Sequence, residues 1–368
     1  PRVRYRQRLI EAMLSGESPR AHGLGSFTTR IGGSPAIALG FAESDEAAAL
    51  LTLLAIYERK SSAHFHAVLK MLCDLYGLRK DELDRVANEH GYLASMNAAR
   101  SDKQRILDFA RPGRIVEVGP GGGVVLDLLA DRFPDSEVIG IDASAMAVDA
   151  LRARRAREGR RWSVIHADAF ELARHVGPAP VDTVIFCSIL HEIYSYVEPR
   201  FSLDSVRRIL RAAWDCLAAG GRLLIRDGVA PPPGTRLLRF VAADAREFFD
   251  LFCAQFEGRR IGFEEVGDGR VRLPAADAME FLYTYTWGPE SFPYEVREQY
   301  GVLAYGEYRA SILARLPGAR AVALPPDLES YLQDGYVTAL AGKVELVDER
   351  GVPCPLPDSN CVMVFERT

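Results

Sequence analysis

Between residues 114 and 227 the chain repeats one pattern: a short apolar, β-branched run, then a longer amphipathic stretch. The runs are "RIVEV" from Arg114, "SEVIGID" from Ser136, "WSVIHAD" from Trp162, "VDTVIFCSIL" from Val181 and "RLLIRD" from Arg222. Short runs of this composition predict strands. Helical spacing follows at about 122–133, over "SAMAVDALRARRAREG" and over "SLDSVRRILRAAWDCLAAGG", the last expected to end at Gly220 and Gly221. Strands that alternate with helices join through right-handed crossovers, giving a parallel sheet with helices on both faces. The unbroken apolar core of the fourth run predicts burial on both sides. The expected fold class is α/β, a doubly wound Rossmann-like sheet.

Outside that block the pattern changes. Residues 230–325 open with "APPPG" and hold aromatic-rich segments, "AREFFDLFCAQF" and "DAMEFLYTYTWG", expected to be helical. They read as an insertion after the fifth strand. Then "DLESYLQDGY" predicts a helix, and "GKVELVDERG" and "SNCVMVFERT" predict two strands, expected to pair antiparallel at the sheet edge. Residues 1–110 read as mainly helical, with a long proline-free stretch from Glu43 and further helices at about 79–90 and 98–110. The expected organisation is a helical region, 1–110, and an α/β domain, 111–368, whose segment 230–325 caps the substrate. The helical region would cover a pocket or build a homodimer surface.

The turn after the first strand, "VEVGPGGG", holds Gly119, Gly121, Gly122 and Gly123 behind Glu117. Glycines there let a ligand lie against the backbone at the carboxyl edge of the sheet. No Gly-Lys pair follows, so a P-loop is excluded. A dinucleotide fingerprint needs a third glycine where Val124 stands, so a nicotinamide dehydrogenase fits poorly.

The spacing Glu117-x-Gly119-x-Gly121-x-Gly123 resembles the first motif of class I S-adenosylmethionine-dependent methyltransferases. The likeness covers about 100–230 closely, and the terminal strand pair fits the same fold. It implies S-adenosyl-L-methionine as cosubstrate and S-adenosyl-L-homocysteine as product. By the same likeness Asp142, ending the second strand, would take the ribose hydroxyls. Asp168, ending the third, would meet the adenine amino group. Ala143, Ala169 and Ser188 complete the expected donor site with Glu117 and the glycines. This donor has no phosphate and is cationic, which suits a turn without lysine and with an acid before it.

For the acceptor side, His191 follows the fourth strand and is the candidate general base, its pKa lying near neutrality. The alternative is a histidine that shapes the loop through a hydrogen bond. Glu192 beside it begins no HExxH zinc motif, because Ser195 occupies the second histidine position. Tyr196, Asp227, Tyr283, Tyr285 and Trp287 are candidate substrate-binding residues, with core packing as the competing role for the aromatics. "RARRAREGRR", Arg152 to Arg161, reads as a solvated helix face, and the paired His64 and His66 as packing or surface residues.

Composition narrows the class further. With 48% hydrophobic and 26% charged residues and no apolar run of 18, the chain predicts a soluble protein without a membrane span. The first twenty residues lack the apolar core of a secretory leader, although a chain beginning at Pro1 is compatible with a piece of a longer polypeptide. The cysteines Cys73, Cys187, Cys216, Cys253, Cys354 and Cys361 form no CxxC pair, so no metal site is expected and a reducing cytoplasm fits best. A net charge of −5 argues against strong electrostatic binding of nucleic acid. Only five of the 45 basic residues are lysine, as in GC-rich bacterial coding. The expected activity is methyl transfer to O, N or C of a small molecule, for instance in bacterial specialised metabolism. The alternatives are an RNA or protein methyltransferase and a non-catalytic donor-binding module.

Overall fold

The computed structural model describes residues 100–368, so the predicted helices before residue 98, with His64 and His66, lie outside the described residues. Helix α1 (Arg100–Ile106) runs into a 3-10 turn, Leu107–Phe109. There follow β1 (Arg114–Val118), α2 (Val124–Arg132), β2 (Glu137–Asp142), α3 (Ala145–Glu158) and β3 (Ser163–His166). A 3-10 turn, Ala169–Glu171, leads to α4 (Leu172–Val176), β4 (Val181–Cys187), α5 (Leu190–Tyr196), α6 (Leu203–Cys216) and β5 (Leu217–Gly228). Next come β6 (Thr235–Phe240), α7 (Ala245–Gln255), β7 (Glu264–Gly267), β8 (Arg270–Pro274), α8 (Ala275–Thr286), α9 (Gly288–Glu295) and α10 (Tyr305–Arg315). The chain closes with β9 (Ala319–Ala321), α11 (Pro326–Glu329), β10 (Ser330–Tyr331), α12 (Asp334–Leu340), β11 (Val344–Val347) and β12 (Asn360–Arg367).

The main sheet has the order β3-β2-β1-β4-β5-β12-β10, with β9 also on β12. Strands β1 to β5 are parallel, and β12 runs antiparallel to β5. Strand order reverses at β1, between β2 and β4, so the crevice of an open α/β sheet falls at its carboxyl end. Alternation sends Ile115, Ile185 and Leu224 to one face, against Ile106, Leu126 and Val148 of α1, α2 and α3. Val116, Val184 and Ile225 go to the other, against Ile209 and Trp214 of α6 and Ile312 of α10.

Three sequence expectations change. The last two predicted strands do not pair with each other. β12 is buried along six consecutive residues, Asn360 to Phe365, and so lies inside the sheet beside β5. β11 pairs instead with β6 in a second, four-stranded antiparallel sheet, β11-β6-β8-β7. The segment 230–325 is thus mixed rather than helical, because its β6 to β8 find a ladder partner from far along the chain. Finally, α6 ends at Cys216 and Leu217 pairs at once with Val181, after which the register slips to Thr183 with Arg222. Gly220 and Gly221 occupy that bulge, and the helix end is satisfied by Arg367, whose Nη1 donates to the carbonyls of Trp214 (2.9 Å) and Leu217 (2.6 Å).

One glycine fixes how closely the first turn lies on the sheet. A Cβ at Gly140 in β2 would stand 2.8 Å from Val164 Cγ1, 3.0 Å from Pro120 Cγ and 3.1 Å from Leu126 Cδ1. A Gly140→Ala variant should lose about 1–3 kcal/mol of stability through this overpacking, read as a lower urea midpoint at unchanged m-value.

Candidate functional site

The carboxyl ends of β1, β2, β3 and β4 bring the predicted donor residues to one edge of the sheet. The turn after β1 is built from left-handed residues: φ is 67° at Gly119, 51° at Gly121 and 76° at Gly123. At Gly119 a side chain would also be 2.7 Å from Ile189 Cδ1. The Gly119 amide donates to the Ile141 carbonyl (2.8 Å) and the Gly123 amide to Pro120 (2.8 Å), which fixes the turn on β2.

Sequence reasoning missed what locks this turn from outside. Arg154 of α3 donates from Nη1 to the Gly122 carbonyl (2.8 Å) and from Nη2 to buried Asp127 of α2. Asp127 also accepts from Trp162 Nε1 (2.8 Å) and meets Arg160 Nε at 3.4 Å. So Arg154 and Arg160 leave the predicted solvated face, while Arg152, Arg155, Arg157 and Arg161 stay on it or at its margin. The spacing gave no warning, because Arg154 looks like every other arginine of the run.

Glu117 is 2% exposed, on the sheet face that carries Ile115. Burial pushes its carboxyl up to about 8, with Asp142 and Asp127 adding to the rise and Lys103 and the Leu126 amide opposing it. Its Oε2 is buried and has no hydrogen-bond partner among the described residues. An acid in that state costs stability unless a cation or donor is brought to it.

Asp142 ends β2 half-buried and accepts from the Ser144 amide (2.9 Å). Ala143 is exposed, and its carbonyl meets His166 Nε2 at 3.0 Å. Asp168 is exposed; one carboxylate oxygen caps the following 3-10 turn through the Phe170 amide (2.9 Å), and Ala169 stands next to it. Ser188 follows β4 with φ 59°. Arg226, 2% exposed and also missed, holds Ser188 there: its Nη1 donates to Ser188 Oγ (2.7 Å), Nε to Tyr331 Oη (3.0 Å) and Nη2 to Gln333 Oε1 (3.2 Å). An arginine inside the apolar run "RLLIRD" was the available signal.

The acceptor-side candidates divide. Asp227 is fully buried and accepts from the amides of Ile189 (3.1 Å), Leu190 (2.7 Å) and Gly228 (2.8 Å) and from His191 Nδ1 (2.6 Å). It joins the ends of β4 and β5 and has no surface for a substrate. His191 is 5% exposed and stacks on Tyr300 at 4.5 Å. Its Nε2 faces Glu298 at 3.7 Å. Burial pulls the imidazole pKa down, but the charge and hydrogen bond of Asp227, with Glu298 and Glu192, carry it up to about 9. Both ring nitrogens already face carboxylates, closer to the loop-shaping alternative than to the general base, although its partner is a carboxylate. His191, half-buried Glu192 and Glu298 also bring one potential metal-ligand atom each within 4.8 Å of one another.

Tyr196 donates to Glu298 Oε1 (2.7 Å). Tyr283 has no exposed surface, its hydroxyl lying 2.8 Å from the Ser359 carbonyl, so it packs in the core and does not wall a pocket. Tyr285 donates to Asp244 (3.1 Å) and stacks on Phe281 at 5.5 Å. Trp287 is half-buried where α8 ends. No helix among the described residues is long and apolar enough to cross a membrane.

A family model described as a methyltransferase domain matches residues 116–223, from β1 to the start of β5. Over 131 residues the chain is 34% identical to CymA, a probable non-canonical nonribosomal peptide synthetase of Salinispora arenicola, covering 35% of this chain and 2% of that protein. Over 126 residues it is 32% identical to the O-methyltransferase gsfB of Penicillium aethiopicum, covering 34% of this chain and 26% of the relative. The chain thus spans about a quarter or less of the length of these two relatives. Among solved structures, the mitomycin 7-O-methyltransferase MmcR aligns over 89% of this chain and 69% of its own at 13% identity, with a TM-score of 0.43.

The His191–Asp227 pair sets a pH dependence with a definite sign. A histidine raised from 6.5 to about 9 by folding adds stability that is complete below pH 6.5 and disappears as pH climbs through 9. The gap in unfolding free energy between wild type and His191→Gln should therefore narrow by about 2–3 kcal/mol from pH 6 to 9.5 in urea titrations.

Proposed function

We propose that this chain, which belongs to the class I S-adenosylmethionine-dependent methyltransferases, moves the donor's methyl group to an oxygen, nitrogen or carbon of a small molecule. The observation that carries the donor side is Glu117, a buried carboxyl with an unpartnered oxygen, one residue from a left-handed glycine turn. The α-ammonium of an amino-acid cosubstrate fits such a group, and the glycines let its chain lie along the main chain. Asp142 and Asp168, at the neighbouring strand ends, suit a ribose diol and an adenine amino group in the same crevice.

Bound there, the donor supplies an electrophilic methyl on a sulfonium. The chain's own part is to bind and orient. Ser188 and Ile189 close the end of β4 beside the turn, held by Arg226 and Asp227. His191, charged between two carboxylates, acts in this reading as a positioning residue for that loop; proximity carries the rate. A small-molecule acceptor is supported by gsfB, an O-methyltransferase by name, and by the chain's net charge of −5. The segment 230–325 would cap that acceptor, and a reducing cytoplasm with a homodimeric enzyme remains the setting we favour.

Calorimetry with S-adenosylhomocysteine tests the donor site, and absence of binding heat would sink it. Asp142→Ala should weaken binding about tenfold or more, by loss of a charge-assisted contact. Ion pairing requires the Glu117 carboxylate, whereas the free protein holds its proton up to about pH 8. Donor affinity should thus rise from pH 6 to 8 with proton release, seen as a buffer-dependent binding enthalpy. Folding retains a proton that the unfolded chain releases near pH 4.5, so this group lowers stability as pH rises to 8. Glu117→Gln should accordingly raise Tm at pH 8 while abolishing the proton release.

A further inference from the structure

Helices α6 and α10 pack on the sheet face opposite Glu117, and a cavity of about 380 Å³ lies between them. That volume is within the range of small-molecule sites, and well-packed interiors leave few such spaces. Its floor is apolar. Val206 and Leu210 of α6, Ile312 of α10 and Leu316 just after it belong to the core that holds Val184 and Ile225. Tyr308, Ser311, Ile312 and Arg315 recur at three- and four-residue spacing, so one face of α10 turns to the cavity.

The rim has the opposite character. Arg207, Arg208 and Arg211 of α6 and Arg315 of α10 line it, and no carboxylate of the described residues does. Arg207 and Arg211 are held along α6 by Asp204 (2.7 Å) and Asp215 (2.9 Å). Arg208, exposed, lies over the Phe170 ring at 4.7 Å, and Arg315, also exposed, donates to Ser311 Oγ at 3.1 Å. Neither of these two pairs with a carboxylate among the described residues, so the mouth is locally positive in a chain whose net charge is −5.

An apolar floor under a mouth of arginines complements an apolar chain that ends in an acid. We propose that the cavity between α6 and α10 binds a medium-chain carboxylate, with its tail along Val206, Leu210 and Ile312 and its head between Arg208 and Arg315. The glycine turn, Asp142 and Asp168 contribute nothing to this lining, so a ligand here leaves the donor crevice open.

Calorimetry on the full chain compares dodecanoate with dodecyltrimethylammonium, the same tail under the opposite charge, both below micelle formation. Wild type should bind one dodecanoate per chain and prefer it by about tenfold or more, against the pull of the net charge. Decanoate, two methylenes shorter, should bind about tenfold more weakly. Replacing the exposed pair together, Arg208→Gln with Arg315→Gln, should bring the preference for the anion near one. Ser311→Trp, which puts a large side chain into the cavity, should remove binding of both amphiphiles while keeping the circular dichroism of wild type. The site is overturned by wild type without saturable dodecanoate binding, by a preference that survives the paired substitution, or by undiminished binding in a folded Ser311→Trp protein.

Discussion

A single buried carboxylate, that of Asp227, organises the working edge of the sheet. It has no solvent contact, yet it accepts from three backbone amides and one imidazole. Those donors come from the ends of β4 and β5 and from the first turn of α5. A carboxylate taken out of water is tolerable only when donors replace the water, and here they belong to the segments that must be held. The loop of Ser188 and Ile189 is thereby fixed against Gly119, where a Cβ would stand 2.7 Å from Ile189. The glycine turn and the end of β4 are one packed unit rather than two adjacent features.

Within that unit the fold accepts a group that opposes its stability. Glu117 is buried with a carboxyl pushed up to about 8, and its Oε2 has no hydrogen-bond partner among the described residues. An apolar side chain of similar size there would favour folding. Glu117 is thus a local departure from an otherwise consistent core. Asp127 shows the contrast: equally buried, it is satisfied by Arg154 and Trp162, and its role is to hold the turn.

Much of the fold was legible because β1 to β5 and their helices each announce themselves by periodicity over a few residues. The glycine spacing and the acids at strand ends named the candidate donor residues, and the sheet brings those residues to one edge. What escaped was non-local. No pattern near Val344 says that β11 will pair with β6, and no pattern near Asn360 says that β12 will lie inside the sheet; only its run of apolar residues hints at it. Asp227 and Tyr283 look like site residues by position, but their partners, His191 and Ser359, satisfy them internally. Arg154 was invisible for the same reason: one arginine in a basic run reads as surface until the element packed against it is known.

The place of β12 bears on how the chain is made. Synthesis delivers β1 to β5 long before Asn360–Arg367, the strand that covers the edge of β5. Throughout that interval β5 offers an unpaired row of amides and carbonyls beside the apolar side chains of Leu223, Leu224 and Ile225, the condition under which nascent chains pair with one another. The second sheet waits likewise, because β6 needs β11. The α/β core is therefore completed from its end backwards, and its vulnerable period is the time the ribosome takes to pass from β5 to β12.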